Sequence, residues 1–168
     1  MTDTSLKLFT DKGFEYEVKG SEDANIPNEN FVKAEVHAGK WSLYSDVNFP
    51  YNKKVMILEE TGRHDLSFSP RSAKVLPYQL NGLVLFAHPH YTGTSKLYED
   101  GDIDITKTFP PGTANGVSSA IVWPKGNWEV FKGKNMIGVE YPMPTGKYPN
   151  PSDIPCGGDT MESVRPTQ

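Results

Sequence analysis

The residues 113–123, TANGVSSAIVW, set an amide (Asn115) and two hydroxyls (Ser118, Ser119) around Gly116 and ahead of an apolar run. Amide, hydroxyl and backbone carbonyl oxygens are the hard ligands that calcium takes. The same residues also suit a turn that leads into a strand, with Gly supplying the bend and Ser bonding neighbouring backbone groups. Three further groups have chemical potential. Asp100, Asp102 and Asp104 alternate in YEDGDIDIT. On a strand they share one face and repel unless a cation joins them, but the spacing of a helix–loop–helix calcium site is not met. The simpler reading is an acidic hairpin tip turning at Gly101. His88 and His90 flank Pro89. Two imidazoles on one strand face suit a transition metal, yet no Cys or carboxylate adjoins them, and hairpin residues are the favoured reading. Cys156 is the sole cysteine, so no internal disulfide exists. In IPCGGD it reads as a loop thiol, open to an intermolecular disulfide, with no base placed beside it to make it catalytic. No nucleophile elbow, phosphate-binding loop, zinc-protease helix or cysteine pair is present.

The surrounding elements read as short strands. Helical periodicity is nearly absent, while β-type runs such as KVMILEE, LVLFA, SSAIVW and WEVF recur between turn clusters. That pattern predicts an all-β sandwich or barrel. Gly and Pro together number 29 of 168 residues, and aromatics make up 11%, a globular composition rich in turns. Net charge is −4 with no basic block, which argues against nucleic acid as a partner. No apolar run reaches membrane-spanning length, and the first residues lack the features of a signal peptide. A soluble cytoplasmic protein is expected.

Self-similarity sharpens this. An aromatic anchor is followed at +5 and +7 by a repeating pair of positions. Phe9 is followed by Phe14 and Tyr16, Tyr44 by Phe49 and Tyr51, Phe86 by Tyr91 and Gly93, and Phe131 by Met136 and Gly138. Three residues before the anchor stand Leu6, Trp41, Leu83 and Trp128 in turn, so the repeats alternate A, B, A, B. The +5 aromatic is expected to cover a hairpin folded back over the sheet, and the +7 Gly to supply a positive φ there. Trp41 and Trp128 are expected in the core. Trp123 is less bound by the pattern and is the better candidate for exposure. Each repeat ends in a six-residue window before a strand, at 28–33, 67–72, 114–119 and 158–163.

FAHPHYTG followed by NGVSSAIV and GNWEVF resembles the βγ-crystallin superfamily. The resemblance covers the whole chain and is strongest at residues 83–141. It implies two all-β domains, each a sandwich of two Greek-key motifs with eight strands. These are residues 1–81 (motifs 1–39 and 40–81) and 82–168 (motifs 82–126 and 127–168). It also implies a calcium window reading Asp/Asn, Asp/Asn, any, any, Ser/Thr, Ser, with ligands shared between the two windows of a domain. On that pattern the C-terminal domain keeps weak calcium ligands: Asn115, Ser118, Asp159 and Glu162 by side chain, and Val117 and Met161 by backbone carbonyl. Window 1 places Val32 at the hydroxyl position. Window 2 places Arg71 there, whose fixed charge opposes a cation and is expected to bond loop carbonyls in its stead. The resulting expectation is a non-catalytic structural or stress-related protein, either a monomer or a weak homodimer through domain pairing. The alternative is a protein, glycan or membrane interaction module without calcium dependence. It would use Tyr141, Tyr148, Trp123 and the Pro-rich segment 142–155.

Overall fold

The computed structural model describes residues 6–18, 20–50, 53–76, 82–113, 116–124, 126–157 and 160–167. It is nearly all-β and divides into two compact units, Met1–Gln79 and Leu80–Gln168. Tyr51, the +7 residue of the second motif, and residues 77–81 of the expected join at PYQLNGL lie outside the described residues.

In the N-terminal unit, β1 (Leu6–Thr10), β2 (Glu15–Glu17) and β4 (Phe31–Val36) belong to the first motif, as does the short β3 (Glu22–Asp23). β5 (Trp41–Tyr44), β6 (Val55–Leu58), β7 (Gly62–Asp65) and β8 (Ser72–Val75) form the second. The sheets run β2-β1-β4-β7 and β3-β8-β5-β6. Each motif therefore lends its third strand to the other motif's sheet. The alternation of Leu6 and Leu8 on β1 and of Trp41 and Leu43 on β5 turns one face of each sheet inward. These residues are at most 1% exposed and form one apolar core with Ile26, Phe31 and Ala73.

The C-terminal unit repeats the plan with β9 (Leu83–His88), β10 (Thr92–Tyr98), β11 (Ser119–Val122), β12 (Asn127–Phe131), β13 (Glu140–Met143), β14 (Gly146–Tyr148) and β15 (Ser163–Thr167). Its sheets run β10-β9-β11-β14 and β13-β12-β15. Among the described residues, seven strands stand where eight are expected. The place of the missing strand is held by a single antiparallel bridge, Asp102 to Val164. YEDGDIDIT is thus the crossover between sheets rather than a hairpin tip. Two of its carboxylates bond nearby backbone. Asp102 accepts from the Asp104 N–H at 2.9 Å, and Asp104 accepts from the Thr106 N–H at 2.9 Å. These turns remove the strand geometry in which the three acids would share a face.

The hairpin after each anchor explains the aromatic template. Residues at +4 and +5 are left-handed in three motifs: Asn48 and Phe49, His90 and Tyr91, Asn135 and Met136, with φ between 52° and 63°. The chain doubles back here, and the +5 ring lands on the anchor ring edge-on. Tyr44–Phe49 centroids are 5.8 Å apart and Phe86–Tyr91 are 5.7 Å apart. The +7 glycines have positive φ as expected, 79° at Gly93 and 101° at Gly138. The first motif departs from the plan. In its β1–β2 hairpin only Gly13 is left-handed, Tyr16 lies in β2, and Phe14 is 51% exposed beside Phe31. Here the chain forms an ordinary β1–β2 hairpin.

A buried serine closes each folded hairpin. Ser119 Oγ donates to His88 O at 2.7 Å and accepts from the Tyr91 N–H at 2.9 Å. Ser72 does the same between Asp46 O (2.6 Å) and Phe49 N–H (3.0 Å). Ser163 repeats it between Gly133 O (2.6 Å) and Met136 N–H (3.1 Å). All three serines are fully buried. Each satisfies a donor and an acceptor that the fold-back takes from water. The first motif has Lys33 at this position. There Thr10 Oγ1 accepts from the Phe14 N–H at 3.0 Å instead, a purely local closure.

Three measurements test these contacts. Ser119→Ala takes the hydroxyl partner from two backbone groups, so a loss of at least about 1–3 kcal/mol, the cost of one such group, is expected in chemical denaturation. A loss under about 0.5 kcal/mol would contradict the clamp. Gly93→Ala places a Cβ into the His88 imidazole, whereas a Cβ at Gly138 meets nothing within 4 Å. Gly93→Ala should therefore cost more than Gly138→Ala, which carries only the left-handed strain of about 1–2 kcal/mol. The His90 imidazole is pushed below its ordinary range by burial, against a smaller upward pull from Asp153. Its stabilising contribution is full above about pH 6.5 and is lost as pH falls through that value toward the lowered folded pKa. His90→Asn supplies the residue found at the matching position in two other motifs. It should flatten the stability–pH curve below about pH 6.5, and an unchanged slope would refute the assignment.

Candidate functional site

The four windows sit where a hairpin meets the strand that closes its motif. Their fifth residues are held by backbone bonds, from both sides in windows 2 and 4. In window 2, Arg71 N–H donates to the anchor carbonyl of Tyr44 at 2.8 Å, and Arg71 O accepts from Ile26 N–H at 2.8 Å. In window 4, Glu162 N–H donates to Phe131 O at 2.9 Å, and Glu162 O accepts from Ile105 N–H at 2.9 Å. Ser118 N–H donates to Phe86 O at 2.9 Å in window 3. In window 1, Val32 O accepts from Leu66 N–H at 2.9 Å. The pattern crosses between motifs: the loop before one window is tied to the fifth residue of the other.

Arg71 behaves as its charge predicts. Its Nε donates to Ile26 O at 2.9 Å, so Arg71 and Ile26 exchange bonds in both directions. A fixed cation is thereby built into the N-terminal unit. Glu162 holds the matching position in the C-terminal unit, bonded to Ile105 as Arg71 is to Ile26. A carboxylate has no hydrogen to give to a carbonyl oxygen. One unit supplies positive charge at this point of the frame, and the other supplies negative charge.

Ser118 is half-buried, and its hydroxyl reaches only Gly116 O, at 3.4 Å. Val117 and Met161 are 1% exposed. Their side chains are core residues, so any ligand role falls to their carbonyls. Asn115 and Asp159 lie outside the described residues. Among the described residues no three of His, Cys, Asp or Glu gather as a metal would require. The set named by the sequence pattern, Asn115, Ser118, Asp159 and Glu162 by side chain with the Val117 and Met161 carbonyls, fits calcium in chemical type.

The serine that ends three of the windows, counted with the ligands in the sequence pattern, serves the hairpin instead. Its hydroxyl is already committed to two backbone partners. The signal for this role was available: three of four windows keep Ser there, in company with a folded hairpin.

Several residues are placed differently from expectation. Trp123 is 2% exposed rather than a surface contact, and its backbone N–H donates to Gly82 O at 3.1 Å. Trp41 and Trp128 are buried as expected. Tyr141 and Tyr148 are half-buried against the core, and Tyr148 donates its hydroxyl to Pro144 O at 2.6 Å. Residues 142–155 do not hang free. They contain the end of β13, all of β14 and a 3-10 turn at Pro151–Asp153 closed by a reciprocal Asn150–Asp153 cap. Cys156 is 3% exposed in the apolar core, which removes it as a surface thiol. His90 is left-handed and off the strand, so it does not share a strand face with His88. Among the described residues no helix is long and apolar enough to cross a membrane.

Comparison with known proteins agrees with this architecture. No family model matches the chain. The human beta/gamma crystallin domain-containing protein 1 is 27% identical across 96% of this chain. The chain spans only 8% of that relative's length. The solved structure of geodin, a beta-gamma crystallin from Geodia cydonium, superposes with a TM-score of 0.70 over 98% of this chain and 100% of geodin, at 24% identity. A beta-gamma crystallin from Ciona intestinalis is 30% identical over 51% of this chain and 98% of its own, with a TM-score of 0.44. The chain has the βγ-crystallin fold twice over and resembles geodin.

Proposed function

We propose a non-catalytic, structural or stress-related protein of βγ-crystallin type that binds calcium weakly and in the C-terminal unit alone. The observation that carries this reading is the exchange of charge at one point of the repeated frame. Arg71 gives its guanidinium to Ile26 O in the N-terminal unit, where Glu162 stands in the C-terminal unit. A place filled by a built-in cation in one unit and lined by acceptors in the other is suited to a cation from solution. The role for calcium is to tie the loops of two motifs together. Binding to the folded state alone adds stability as the logarithm of calcium over Kd. A weak site is therefore a stabilising device for calcium-rich conditions rather than a sensor of cytosolic signals. The burial of Trp123 takes away the leading contact residue of the alternative interaction-module reading.

Calcium titration with thermal melting tests this. At calcium about tenfold above Kd the C-terminal transition gains about 1.4 kcal/mol, a shift of several degrees for a domain of this size. Asn115→Ala with Ser118→Ala should abolish the shift, and Arg71→Ala should leave it intact. The absence of any shift at about 10 mM calcium, which for a weak extracellular-type site is saturating, would defeat the proposal.

A further inference from the structure

Sheet edges are where chains pair with other chains, and proteins guard them with charge, proline, bulges or shortness. Seven of the eight edge strands among the described residues are guarded in this way. β2 (EYE), β3 (ED), β7 (GRHD) and β14 (GKY) are short or charged. β10 carries Lys96 and a register shift. β13 and β15 carry Pro142 and Pro166 beside their charges. β6 is the exception. It reads VMIL, with no charge, glycine or proline, at the end of the sheet β3-β8-β5-β6.

The open side of β6 is set by its register. Ser45 N–H donates to Lys54 O at 3.1 Å, and β6 pairs Met56 with Leu43 and Leu58 with Trp41. In an antiparallel pair, opposite residues alternate between bonded and non-bonded. Lys54, Met56 and Leu58 therefore bond toward β5. The N–H and C=O of Val55 and Ile57 point outward. Met56 and Leu58 also turn their side chains to the core.

The flanks of β6 select the occupant. The stretch 53–60 reads KKVMILEE, with two cations before the apolar strand and two anions after it. Lys53, Lys54 and Glu60 are exposed. Such a segment is complementary to itself when reversed. We infer that the β6 edge pairs with β6 of a second copy of this chain, antiparallel about a two-fold axis through Met56. That register sets Val55 against Ile57 of the second copy, so outward groups meet outward groups and exchange both backbone bonds. It sets Lys53 directly against Glu59 of the second copy, at both ends of the paired strands. A parallel arrangement would put lysines against lysines, so charge selects the two-fold form, which is closed and isologous. The contact joins two four-stranded sheets into one of eight and pairs the outward backbone groups of both edges.

Sedimentation velocity over a dilution series of the full chain tests this. A concentration-dependent dimer is expected. Lys53→Glu replaces two attractions with two repulsions and should raise the dimer Kd about tenfold. Lys53→Glu combined with Glu59→Lys should restore it. Ile57→Pro removes an outward N–H and spares the bonds to β5. It should abolish the dimer while the far-ultraviolet circular dichroism stays that of the wild type. If Ile57→Pro does not fold, the charge-swap pair decides. A monomer at every concentration up to about 1 mM, or a dimer equally tight in the charge-reversed and charge-swapped chains, would overturn the inference.

Discussion

A serine hydroxyl with two backbone partners is the point on which the motifs depend. A hairpin folded back over its own sheet removes one carbonyl and one N–H from water without returning them to a ladder. Left unpaired, each would cost about 1–3 kcal/mol. Ser72, Ser119 and Ser163 meet both at once, from the first residue of the motif's last strand. The bond therefore joins the start of a motif to its end. The rest is arranged around that closure: left-handed residues at +4 and +5, the edge-on ring over the anchor, and a glycine where His88 needs room. The first motif lacks the serine and lacks the fold-back with it. With Lys33 in its place, the hairpin is the common kind and Phe14 is left half in water.

Immediately before the position of that serine, the frame holds a residue whose side chain is not fixed by the hairpin. At Arg71 and Glu162 its backbone is engaged on both sides, through the anchor carbonyl and the loop of the neighbouring motif. That position can change chemistry without disturbing the fold, and it does so: Val32, Arg71, Ser118 and Glu162 occupy it in turn. Scaffold and site thus lie side by side in sequence with separate duties. The N-terminal unit uses the position to tie its own loops through Arg71 and Ile26. The C-terminal unit leaves oxygen acceptors there.

Much of this was legible in the sequence because the repeat is written in residues with few alternatives. Aromatic anchors, the +7 glycines and the two repeat-fixed tryptophans announced the four motifs, and Arg71 announced its own bond. What the sequence concealed has physical causes. Trp123 comes just after the last residue of β11, where pattern alone does not say which side is covered. Cys156 is set among Gly and Pro, which signal a surface loop, yet Ile154 and Cys156 turn inward around a 3-10 turn and join the core. The alternating aspartates suggested a strand, but Asp side chains compete for the backbone and made turns instead. At the candidate site the carbonyl ligands are invisible to any reading of side chains, because every residue has one.

The exchange of third strands has a consequence for how this chain can be divided. β3 completes the sheet of the second motif, β7 that of the first, and β14 that of the third. A single Greek key cut from its neighbour would lose a strand it had borrowed and expose the one it had lent. Severing the chain between motifs would give two complementary fragments, each a template for the other, rather than two smaller proteins. Sequence repeats four times along this chain, but the smallest piece able to stand by itself contains two of them.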